Sequence, residues 1–154
     1  MGLIFGMEPK NFLFYSSDAS CVDIAWHVKK EGNNVKMYVK DVDYNDTGLG
    51  FVDKVDDWEK ELDWADIIVF DDSIGQGKLA KSLRDKGKLV VGGTPNTELL
   101  EADREFGQDQ LRKVGVNTIP SKMYTSFDEA IDFVKQNPGK YVIKPSGNAQ
   151  TTKR

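Results

Sequence analysis

The stretch NFLFYSSDASCVDIAWHVKKEGNNVKMYVK, residues 11–40, decides the fold. Residues 11–16 are an apolar run suited to a strand. Residues 21–32 follow with Val22, Ala25 and Val28 on one helical face and Gly32 as a stop. Ser20 with Asp23 is expected to cap the start of that helix. VKMYVK (35–40) is again strand-like. A strand, a helix and a second apolar strand in one short span form the unit from which parallel sheets are built.

The same alternation continues. The stretch 41–54 is polar and reads as a loop, and VDDWEKEL (55–62) as a short helix with Val55, Trp58 and Leu62 on one face. DIIVFD (66–71) is a third strand, GKLAKSLRDKG (77–87) a helix closed by Gly87, and KLVVGG (88–93) a fourth strand. These strands are continuous runs of Val, Ile, Leu and Phe rather than alternations, which fits a parallel sheet covered on both faces. The expected fold class is α/β, a doubly wound, Rossmann-like layer.

After GGTPN the organisation shifts. Residues 97–115 predict one longer helix, with Leu99, Leu100, Ala102, Phe106, Leu111 and Val114 buried. VNTIPSKMYT reads as strand-like and broken by Pro120. SFDEAIDFVKQ (126–136) predicts a helix, with Ser126 and Glu129 as a capping box and Phe127, Ala130, Ile131 and Val134 as its apolar stripe. KYVIK (140–144) predicts a last strand.

Bulk properties bound the function. The chain has 154 residues, 39% hydrophobic and 30% charged, with 21 basic against 25 acidic side chains and a net charge of −4. That balance disfavours nucleic acid or an anionic membrane as principal partner. Cys21 is the only cysteine and His27 the only histidine, so this sequence holds no internal disulfide, cysteine cluster or multi-histidine metal site. The start MGLIFGMEPK lacks the basic leading region and apolar length of a signal peptide, and no run reaches the roughly 18–20 apolar residues of a spanning helix. A cytoplasmic location is the expectation.

Two short signals carry chemistry of their own. GQGKLA (75–80) matches G-x-G-x-x-A between a strand and a helix, the pattern that brings backbone close to a pyrophosphate. It follows the third strand, however, and the next strand ends without an acidic residue for a ribose, so the favoured reading is a loop that turns the chain. Asp71, Thr94 and Lys144-Pro145 are placed as in response-regulator receivers, which the sequence also resembles. Against this, the first strand ends in YSSDAS with Asp18 alone, and the distance from Thr94 to Lys144 is long for one βα unit.

A third signal spans residues 11–150 and is most specific over 92–147. GGTPNTELLEADREFGQDQLRKVGVNTIP, then YTSFDEAIDFVKQNPGKYVIKPSG, resembles the N-terminal part of ATP-grasp ligases, most closely phosphoribosylamine–glycine ligase. The resemblance implies a Rossmann-like pre-ATP-grasp domain over 1–94 and an incomplete ATP-grasp lobe over 95–154. It implies that Arg104 and Lys144 contact ATP phosphates, and that Ser16, Ser17 and Asp72 contact the amine substrate. In that family the loop after the first strand is glycine-rich, whereas here it is SSDAS. Ser16, Ser17 and Ser20 still offer hydroxyls, and the helix starting near Cys21 offers free N–H groups. Asp71 and Asp72 stand where the family usually carries Pro-Glu.

The family's Mg²⁺ ligands and most of its adenine pocket lie in a second half that these residues do not contain. The resemblance therefore implies an N-terminal fragment of a larger ligase using ATP and Mg²⁺. Alone, the fragment is expected to be inactive and to hold no cofactor tightly. The expected partners are the missing C-terminal part and small nucleotide, amine and carboxylate substrates. Apolar surface left uncovered would allow a homodimer. The rival reading is a stand-alone α/β binding or signalling module, such as a divergent receiver.

Overall fold

The computed structural model describes residues 8–72 and 74–144. Two compact units divide the chain, Met1–Glu98 and Leu99–Arg154.

The first unit is built on β1 (Asn11–Ser16), α1 (Val22–Lys30), β2 (Asn34–Val39), β3 (Asp53–Lys54), β4 (Ile67–Phe70), α2 (Gly77–Asp85) and β5 (Leu89–Val91). The five strands are all parallel, in the order β3-β2-β1-β4-β5. The α/β, Rossmann-like expectation holds. β3 is an addition to the expected loop over 41–54: Asp53 and Lys54 pair with Lys36 and Met37 at the edge of the sheet.

The central strand is apolar because both its faces are covered. Phe14, Ala25, Val35, Met37 and Val39 form one buried cluster, against which Val22, Trp26 and Val28 pack from α1. Leu13, Tyr15, Ile68, Phe70, Ala80 and Leu83 form the other, joined by Val55, Trp58 and Leu62. Those last three share a face as predicted. The backbone carrying them forms only a 3₁₀ turn, Glu59–Glu61, rather than a helix over 55–62.

Helix ends show where local rules won. Gly87, at φ +84°, closes α2. Ser20 does not cap α1: its hydroxyl donates to Asp18 Oδ1 at 2.5 Å, and Cys21 occupies the cap position without a side-chain bond. A Ser-Asp pair two residues apart closes its own turn, which competes with capping.

The second unit departs further from expectation. The single helix over 97–115 is two, α3 (Pro95–Ala102), which begins in the first unit, and α4 (Arg104–Lys113). Asp103 breaks the run in an extended conformation and accepts from Phe106 N–H at 3.0 Å, so an N-cap replaces a helical turn. The expected buried face is largely exposed at Leu99, Leu100, Leu111 and Val114. α5 (Phe127–Gln136) forms where predicted with Ser126 at the cap position, but Ser126 makes no side-chain cap bond. Its apolar stripe is open at Phe127, Ile131 and Val134. Neither VNTIPSKMYT nor 140–144 is a strand among the described residues. An apolar run supplies strand propensity but no partner for its backbone, and these two segments find none to form a ladder.

Candidate functional site

β1 is the point where the sheet order reverses: β2 lies to one side and β4 to the other. In open parallel sheets, ligands bind beyond the carboxyl ends of the strands at such a reversal. Ser16 ends β1, and Asp71 and Asp72 follow β4 directly.

Ser16 is fully buried, and its hydroxyl donates to Asp71 Oδ2 at 2.5 Å, tying the ends of the two central strands together. Gln76, at the start of α2, donates through Nε2 to Asp72 Oδ2 at 2.6 Å and reaches Ser17 Oγ at 3.5 Å. The structure thus brings Ser16, Ser17 and Asp72 into one cluster, joined by Asp71 and Gln76. Asp71 Oδ1 and Gln76 Oε1 are buried with no hydrogen-bond partner. Burial pushes the Cys21 thiol well above its ordinary value of 9.0, and a hydrogen bond to Asp71 and that carboxylate's charge add to the rise. Burial likewise raises Tyr15, with Tyr38 and then Asp72 adding to it.

Sequence reasoning misses Gln76 as a site member and reaches Asp71 through the receiver-like trio rather than as a partner of Ser16. Gln76 lies inside GQGKLA, where attention falls on the glycines. Its partners stand 59 and 4 residues away, so no local pattern discloses it.

The GQGKLA loop itself has a different task. Gly77 N–H donates to Glu98 Oε1 at 2.5 Å, so a carboxylate from α3 already occupies the amino end of α2. A Cβ at Gly77 would lie 2.6 Å from the Thr94 carbonyl carbon and 2.8 Å from Glu98 Cδ. The glycine is needed for close approach of the chain's own backbone, which favours the turning role over a pyrophosphate seat. Around it, Arg84 donates to the carbonyls of Val90, Gly92 and Gly93, and Thr94 and Thr97 cap the start of α3 reciprocally. Pro95 follows at the first helical position, where its missing N–H costs nothing.

Of the receiver-like trio, Lys144 is not on a strand. Asp71 is committed to Ser16, while Lys144 belongs to the second unit.

Arg104 is half-buried, opens α4 and already has interactions of its own. Its cation stands at the positive end of that helix, an arrangement that favours an anion nearby. Lys144 is exposed, after the exposed Val142 and Ile143. Pro145 and the glycine loop beyond it lie outside the described residues. Among the described residues no group of three or more His, Cys, Asp or Glu side chains is placed to hold a metal ion. The Mg²⁺ that the resemblance implies thus finds no ligand set here. No helix among the described residues is long and apolar enough to cross a membrane.

No protein-family model matches the chain. Among solved structures, it is similar to N5-carboxyaminoimidazole ribonucleotide synthetase from Thermotoga maritima, with TM-score 0.61 and 14% identity over 80% of this chain. It is also similar to N5-carboxyaminoimidazole synthetase from Staphylococcus aureus, solved with ADP, with TM-score 0.59 and 20% identity over 81% of this chain. The chain spans 36% of the length of each. At these identities the likeness is one of fold.

Proposed function

We propose that the chain is the N-terminal part of an ATP-dependent carboxylate–amine ligase of the ATP-grasp type. The observation that carries this reading is the meeting of Ser16, Ser17 and Asp72 at the switch point of the sheet, where a substrate would bind. The fold likeness to two N5-carboxyaminoimidazole ribonucleotide synthetases, one of them solved with ADP, supports it.

In this reading residues 1–94 are the pre-ATP-grasp domain and 95–154 an incomplete ATP-grasp lobe. Arg104 and Lys144 hold ATP phosphates, and the crevice holds the amine substrate. ATP converts the carboxylate to an acyl phosphate, and the amine displaces phosphate to form the C–N bond. This chain's contribution is to orient the amine and neutralise phosphate charge. The sequence resembles phosphoribosylamine–glycine ligase, so glycine is the proposed carboxylate. The enzyme acts in the cytoplasm, and Mg²⁺ is held by the C-terminal half.

The test uses protein expressed from the complete reading frame. ADP formation should require both an amine and a carboxylate substrate. ADP formation indifferent to both, or a reading frame that stops at Arg154, would favour the stand-alone module instead.

A further inference from the structure

The chemistry of the switch-point crevice sets it apart from a phosphate site. Its unpaired buried polar atoms are acceptors. Asp71 Oδ1 and Gln76 Oε1 are buried and unpaired, although Gln76 as a whole is only 6% exposed. The orientation of the Gln76 amide follows from its neighbour: Nε2 must face Asp72 Oδ2, because the carbonyl there would meet a carboxylate. That leaves Oε1 as the unpaired atom. Neither Asp71 nor Asp72 has a Lys or Arg ion-pair partner among the described residues. The one hydroxyl proton fixed by geometry, that of Ser16, is already given to Asp71.

Each carboxylate has one oxygen engaged, Asp71 Oδ2 by Ser16 and Asp72 Oδ2 by Gln76, which leaves two uncompensated charges and two buried acceptors, Asp71 Oδ1 and Gln76 Oε1. Buried acceptors without donors are unfavourable, and a ligand that donates to them removes that penalty. A phosphate would bring further negative charge and more acceptor oxygens against the same groups.

We propose that the crevice formed by Ser17, Asp71, Asp72 and Gln76 receives a protonated primary amine and excludes phosphate. The inference rests on the reading of this crevice as the amine-substrate site and narrows it. The amine enters by its ammonium end, so any phosphate on the substrate is held elsewhere, and it gives a proton to Asp72 before its freed lone pair attacks the acyl phosphate. Asp72, half-buried, supplies the opening charge, and Asp71 Oδ1 and Gln76 Oε1 accept N–H bonds from the seated ammonium.

The test is an amide chemical-shift titration of the 154-residue chain with methylammonium chloride, set against sodium chloride and inorganic phosphate at matched ionic strength. Saturable shifts at Ser17, Asp72 and Gln76 with methylammonium alone are expected. Asp72→Asn should weaken that response at least tenfold, and Asp71→Asn should do the same where its spectrum remains that of the folded chain. Saturable phosphate shifts at these amides, or a methylammonium response equal to that of sodium, would overturn the proposal. An ATP titration of the protein from the complete reading frame separates this from the ligase reading. Loss of ATP binding there would sink the ligase assignment while leaving the ammonium result standing.

Discussion

Replacing Gly77 with alanine tests whether the GQGKLA loop is a structural seat or a nucleotide cradle. The new Cβ would stand 2.6 Å from the carbonyl carbon and 2.7 Å from the oxygen of Thr94, and 2.8 Å from Glu98 Cδ. Thr94 cannot yield easily. Its neighbour Gly93 is held by Arg84, and its own N–H donates to Thr97 Oγ1 at 2.7 Å. Overpacking of this kind costs roughly 1–3 kcal/mol. Forcing Glu98 aside also weakens a charge-assisted bond worth about 1.5–3 kcal/mol. Partial relaxation keeps the two from adding fully, so about 2–4 kcal/mol is expected. Urea denaturation followed by tryptophan fluorescence reads it as a lower midpoint at constant slope. Glu98→Gln keeps the shape and loses the charge, and should cost about 1 kcal/mol. A Gly77→Ala midpoint within error of wild type, together with lost nucleotide binding, would refute the structural reading and restore the cradle.

Three further outcomes follow from the same geometry. Arg84→Ala leaves the carbonyls of Val90, Gly92 and Gly93 without their guanidinium and should destabilise by about 2–3 kcal/mol in the same assay, with Arg84→Lys recovering only part. Stability should fall in alkali through Cys21. Its thiol is raised in the folded chain, so above the ordinary value of 9.0 the unfolded chain releases a proton that the native chain keeps. The loss reaches about 1.4 kcal/mol at pH 10, and a Cys21→Ala variant with the same pH dependence as wild type would contradict it. Asp103→Ala removes the cap of α4 and should cost about 1 kcal/mol, read by the thermal midpoint of the second unit.

The first unit was legible because its strands are buried on both faces and therefore written as unbroken apolar runs. Ser16, Ser17 and Asp72 came from the family resemblance, and the fold brings them together at the ends of β1 and β4. The bonds that organise them were not, because Ser16 and Asp71 stand 55 residues apart. Likewise nothing in the sequence singles out Glu98, and only the fold brings it to Gly77. In the second unit, the run from 97 to 115 has helical periodicity throughout, and the stop lies in one side chain, Asp103, that can serve either as helix interior or as cap. The apolar segments at 116–125 and 140–144 carry strand composition, but pairing is a property of two segments.

The central claim is that Arg104 and Lys144 hold the same triphosphate, and a double-mutant cycle tests it. ATP and adenosine affinities are measured calorimetrically on protein from the complete reading frame, for Arg104→Ala, Lys144→Ala and the double variant. Each single change should weaken ATP at least tenfold and leave adenosine unaltered. The double change should weaken ATP by less than the product of the two. Unchanged ATP affinity, or equal losses for ATP and adenosine, would contradict the account.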